Sequence, residues 1–143
     1  MPTHYNLPLV VAAILSAIAA LLHVGIIVGG APWYRFFGAG DSMARADAAG
    51  RVYPAVVTAF IALVLATWSA YALAGAGVIA PLPQLKAALV GITAVYLLRG
   101  LAVVPLLLFA RHQATPFLVW SSLICIGLGA VHLAGLAQVW HAV

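Results

Sequence analysis

Apolar residues do not alternate with polar ones along this chain. They come in four long runs, roughly Leu7 to Gly29, Tyr53 to Leu73, Leu85 to Ala110 and Phe117 to Val139. Crossing a hydrocarbon core about 30 Å thick takes about 20 apolar residues in helix, because each residue adds about 1.5 Å and helices satisfy their own backbone groups. Each run meets that length. The pattern therefore predicts an all-α polytopic membrane protein, a compact bundle of four transmembrane helices forming one domain over residues 1–143. One connection of about 20 residues and two of about 10 or fewer join the spans, leaving no length for a separate soluble domain. The flank Met1-Pro-Thr-His-Tyr-Asn lacks the basic start of a secretory signal, so the first run is read as a retained span.

Composition agrees with the pattern: 66% of residues are hydrophobic, 6% are charged, and the mean hydropathy is +1.19. Charge adds an orientation. Arg35, Arg45 and Arg51 fall in the first connection and Arg111 in the third, whereas Lys86 alone marks the second. By the positive-inside rule this expects both termini outside the cytoplasm, in a membrane such as the bacterial inner membrane. The net charge of +4 then faces an anionic inner leaflet and gives no ground for nucleic-acid binding. Cys125 is the single cysteine, which excludes disulfide scaffolds and dithiol redox centres, and no cluster has the spacing of a metal site.

The long first connection, from Gly29 to Tyr53, contains both carboxylates of the chain, Asp41 and Asp47. Within it Asp41 to Gly50 reads as a short helix: Asp41 or Ser42 caps the start, Gly50 ends it, and Asp41/Arg45 and Asp47/Arg51 are spaced four apart as ion pairs. Trp33, Tyr34, Arg35, Phe36 and Phe37 precede it and belong to the aromatic belt with Tyr5, Tyr53, Phe109, Phe117, Trp120 and Trp140. Such a stretch lies on the membrane surface or folds back as a lid over an opening in the bundle. Gly25 and Gly29 put two small residues on one face of the first span, a spacing that serves either packing within the bundle or a homodimer.

One residue stands out against the rest. Arg99 lies inside the third span, where a charge costs about 3 kcal/mol by insertion scales, and no span contains an Asp or Glu. Counting helical rise from the outer face puts Arg99 about 21 Å deep and His23 about 24 Å deep, at a common level, while His132 is only about 10 Å deep, level with Trp68. No cofactor is evident; the offset of about 14 Å between His23 and His132 argues against a b-type haem ligated by both and leaves haem as an outside alternative. Expected partners for Arg99 are a backbone carbonyl, His23, a tyrosine oxygen, water, a loop carboxylate or a bound ligand. Tyr96, three residues before Arg99 on nearly the same helix face, and Tyr53 at the inner end of the second span are further donors. Pro105 deprives the carbonyl of Leu101 of its helical donor, and Gly100 removes a side chain, so a kink and a small polar cavity are expected there. Thr58, Thr67, Ser69, Ser121 and Ser122 read as interhelical hydrogen-bonding residues, and His132 as a packing histidine.

These residues favour a pocket around Arg99 and His23 that takes an amphipathic molecule, anionic or carbonyl-bearing, such as a lipid or quinone. Arg99 would hold the polar head, His23 is the candidate acid or base for any catalysis, and Tyr96, Tyr53, Trp33, Tyr34, Arg35 and Asp41 would line or close the pocket. Two other classes fit the same pattern. One is a subunit of an oligomeric transporter or channel packed through Gly25 and Gly29. The other is a non-catalytic accessory subunit of a membrane complex. An alternative without a ligand has Arg99 snorkelling to the inner interface to anchor the Asp41/Asp47 loop.

Overall fold

The computed structural model describes residues 5–143, so the flank Met1–His4 considered above lies outside the described residues. The protein is 80% helical and has no strand among those residues. Four helices are long and apolar enough to cross a membrane: Leu7–Gly29, Tyr53–Gly75, Leu85–Phe109 and Pro116–Val139. The fold class expected from the hydrophobic runs, an all-α four-helix membrane protein, is the one observed. We number the helices α1 (Leu7–Gly29), α2 (Ala31–Phe36), α3 (Asp41–Ala48), α4 (Tyr53–Gly75), α5 (Leu85–Leu101), α6 (Val103–Phe109) and α7 (Pro116–Val139).

The chain divides into two compact units, and α1 and α4 each contribute to both. The first unit combines the start of α1 with everything from Trp68 onward. At its centre α5 and α7 pack extensively against each other. Two glycines allow the close approach. A Cβ on Gly100 would lie 2.8 Å from the backbone nitrogen of Ile126 and 2.9 Å from the carbonyl oxygen of Ser122, and one on Gly129 would lie 2.6 Å from Leu97. Small residues at such crossings let dispersion contacts form where lipid offers no hydrophobic drive. Leu9, Ala76, Leu89 and Leu136 form the core at one end, where Asn6 caps α1 by accepting from the Leu9 amide at 2.9 Å and donates to Gln138 at 2.8 Å. At the same end Lys86 Nζ sits 4.5 Å from the ring centroid of Trp140, a cation–π contact. Midway, Ser69 donates to the Ala13 carbonyl at 2.8 Å and ties α4 to α1.

The third span is interrupted: α5 stops at Leu101, α6 starts at Val103, and Ala102 forms a turn between them. That is where Pro105, lacking an N–H, leaves the Leu101 carbonyl without its partner four residues on. A short 3-10 turn over Arg111–Gln113 then leads to α7, whose start is capped by Thr115 accepting from the Leu118 amide at 3.2 Å, with Pro116 at the first turn.

The second unit runs from Ser16 to Thr67. In it the long connection is a helical hairpin, α2 then α3, closed over Ile26, Tyr34 and Ala44. The helix expected at Asp41 is present and ends as expected at Gly50, whose positive φ of 72° lets the Gly50 and Arg51 amides bond back to Asp47 and Ala46. Its start differs. Gly40 is the N-cap, with no side-chain cap, so Asp41 and Ser42 are already inside the first turn. The ion pairing differs too: Asp41 meets Arg35 of α2 at 4.0 Å rather than Arg45, because the hairpin turns the end of α2 toward the start of α3. Both side chains are largely exposed, so this pair contributes little to stability. The helix over Ala31–Phe36 was not expected; Gly30, Pro32 and Gly38 are its start and stop signals, masked by the aromatic residues between them.

Candidate functional site

Arg99 sits near the end of α5 and reaches across to α7. Its Nη1 donates to Ser122 Oγ at 3.2 Å and its Nη2 to Ser121 Oγ at 3.3 Å. Ser121 donates its own proton to the Leu118 carbonyl at 3.1 Å, so its lone pairs are the groups turned to the guanidinium. Ser122 is wholly buried, Ser121 is half-buried and Arg99 is exposed, so the guanidinium straddles the seam between the two helices and opens sideways. These serines, expected only to stitch helices together, are the partners that the sequence left unnamed. Nothing in their spacing points to Arg99, because the rotation of α7 against α5 is set by glycine contacts on both helices.

The space beside Gly100 is not a cavity. The backbone of α7 fills it, through the Ser122 carbonyl and Ile126, which corrects the expectation that a missing side chain there would leave polar room. Electrostatically the first unit is one-sided: Lys86, Arg99 and Arg111 lie in it, while both aspartates of the chain lie in the second unit. Two neutral hydroxyls therefore support a full positive charge in a unit that has no Asp or Glu side chain.

Tyr96, one turn before Arg99, points elsewhere. It is buried, its ring meets Trp68 edge-on with centroids 4.9 Å apart, and it lies 5.2 Å from the His132 ring at a 39° tilt. His132 is wholly buried in this stack. Its Nδ1 is 2.9 Å from the Leu128 carbonyl, which can only accept, so Nδ1 carries the proton and Nε2 is left as a lone-pair acceptor. Among the described residues Nε2 has no hydrogen-bond partner. That posture resembles a metal-ligating imidazole, yet no group of three His, Cys, Asp or Glu side chains that could hold an ion occurs among the described residues.

The other candidate residues belong to the second unit. His23 is half-buried, and its Nδ1 donates to the Ala19 carbonyl at 2.7 Å, leaving Nε2 as the lone-pair acceptor of the neutral ring. Tyr34 is 1% exposed and pairs with Thr58, a core position rather than a surface one. Trp33 lies over the glycines of α1: a Cβ on Gly29 would fall within its indole ring, and one on Gly25 would lie 3.3 Å from it. The glycine face is therefore occupied by the chain's own tryptophan. Arg35, Asp41 and Tyr53 are exposed.

What the first unit offers chemically is thus a positively charged, hydroxyl-supported donor group at a helix seam within a membrane span. No family model, curated protein or solved structure matches this chain, so that geometry is what any reading of its function stands on.

Proposed function

We propose that this protein binds an amphipathic molecule in the membrane through Arg99, which holds the molecule's anionic or carbonyl-bearing head group. The observation carrying this reading is the guanidinium itself, placed in a membrane span and held, among the described residues, by the hydroxyls of Ser121 and Ser122, in a unit without Asp or Glu. Intramembrane arginines usually pair with a counter-charge, and a ligand head group supplies one here. The basic residues of the first and third connections support an orientation with both termini outside the cytoplasm, which puts Arg99 in the inner half of a bacterial inner membrane.

Native mass spectrometry of wild type, Arg99→Gln and Arg99→Lys, each extracted from the host membrane, tests the reading. An amphiphile retained by wild type, lost from Arg99→Gln and partly kept by Arg99→Lys, with all three still folded, is the expected result. Equal loading of all three overturns it. So does unfolding of both variants, because the arginine then serves to hold α5 against α7.

A further inference from the structure

We infer that the head group held at Arg99 is the phosphodiester of an anionic phospholipid drawn from the inner leaflet; this rests on the binding role proposed above for the same residue. Four observations lead there. A guanidinium has five N–H donors, and the serines take two, at 3.2 and 3.3 Å. A quinone or ester carbonyl presents one neutral acceptor and leaves the positive charge unanswered, whereas a phosphodiester has several acceptor oxygens and the opposing charge.

The site also lies at the right depth. Ser121 and Ser122 are five and six residues into α7 from Pro116, which at about 1.5 Å per residue is about 8 to 9 Å from the helix start. An arginine side chain snorkels over part of such a distance and a phospholipid head group sits at its far end. Arg111 and His112, in the turn that leads into α7, place further basic groups at that same end.

Access is lateral. Arg99 is exposed and Ser121 half-buried, with Trp120, the residue before it, 67% exposed; Trp is the residue that favours the head-group level. Leu98 on α5 and Ile124 on α7, 70% and 62% exposed, give apolar surface along which acyl chains can lie. A lipid diffusing in the plane of the membrane reaches such a seam without any opening of the protein.

The test uses delipidated full-length protein in a neutral detergent, offered in turn phosphatidylglycerol, phosphatidylcholine, oleic acid, a short-chain ubiquinone and inorganic phosphate, with retention read by native mass spectrometry. Wild type is expected to retain phosphatidylglycerol selectively. Arg99→Gln should lower that retention by about tenfold, the equivalent of one charge-assisted hydrogen bond. Arg99→Lys and Ser122→Ala should fall between, and Lys86→Gln, a residue paired with Trp140, should match wild type. Equal retention of phosphatidylcholine and phosphatidylglycerol overturns the anionic-lipid assignment. Displacement of the lipid by inorganic phosphate overturns the lipid source but keeps the phosphate chemistry. Preference for oleic acid or ubiquinone overturns the phosphodiester while leaving Arg99 as the head-group residue, and no Arg99-dependent retention of any of them overturns both readings.

Discussion

The phenol oxygen of Tyr34 and the hydroxyl of Thr58 are 3.2 Å apart in the buried part of the second unit, and Thr58 Oγ1 is also 2.8 Å from the Pro54 carbonyl. Thr58 has one proton and the carbonyl can only accept, so that proton goes to Pro54 and the Tyr34 phenol donates to Thr58. This bond ties α2 of the long connection to the first turns of α4. It makes Tyr34 of the aromatic stretch part of the core, while Trp33 and Phe36 stay exposed. Tyr34→Phe should cost about 1 kcal/mol, the net value of a buried neutral hydrogen bond, and Thr58→Val a comparable amount. Unfolding in mixed detergent micelles measures both, and a double-mutant cycle should give a coupling energy well above zero; independent effects would refute the pairing.

Trp33 over Gly29 gives a second expectation. Gly29→Ala places a methyl group in the space of the indole ring, which must swing away from α1. Overpacking of this kind costs about 1–3 kcal/mol, and Trp33→Ala in the same chain should recover part of it. Tryptophan fluorescence follows the ring directly. If Gly29→Ala instead changes oligomeric state with no shift in tryptophan emission, the glycines face another copy and not Trp33.

How much of this was legible beforehand differs by level of structure. The spans were readable because membrane crossing demands length and apolarity, which survive without any knowledge of partners: the expected start at Leu85 and the break near Pro105 both appear. Gly50 announced the end of α3 because only a residue tolerant of positive φ ends a helix that way. The start of α3 is not legible in the sequence because Asp41 and Ser42 are good caps by residue type, whereas Gly40 takes the cap position without a side chain. Helix α2 is hidden in the sequence because Trp33 and Tyr34 have the residue types of an interfacial belt. At the site, Arg99 was legible as an anomaly of charge in an apolar run. Its serine partners were not, because which face of α7 meets α5 depends on backbone contacts at Gly100 and Gly129 that no periodicity encodes.

Those contacts separate two glycines of one helix. Gly100→Ala directs a methyl group at the backbone of Ile126 and Ser122, which cannot rotate aside, so α7 must shift and the Arg99–Ser122 bond lengthens. A loss of about 1–3 kcal/mol is expected, together with weaker head-group retention. Gly91, nine residues earlier on α5, has open space where its Cβ would go, so Gly91→Ala should leave stability unchanged or raise it by up to about 1 kcal/mol through helix propensity. Equal effects at the two positions would show that α5 and α7 do not approach as closely as the geometry states.

His132 offers the last test. A buried acceptor without a partner costs about 1–3 kcal/mol, and among the described residues Nε2 is such an acceptor, on a ring packed against Tyr96. Phenylalanine has a similar planar shape, extends the aromatic stack and removes the unanswered lone pair. It also removes the Nδ1 bond to Leu128, but that carbonyl lies within α7 and accepts the helical amide four residues on, His132 itself. His132→Phe should therefore stabilise the protein by about 1 kcal/mol, read as a higher unfolding midpoint in mixed micelles. A marked destabilisation would mean that Nε2 is answered in the membrane, and nitrogen-15 spectra of histidine-labelled protein would then show the shift of a hydrogen-bonded acceptor in place of a bare one. The same spectra check the tautomer, since a proton on Nε2 would contradict the Leu128 bond from which the lone pair was deduced.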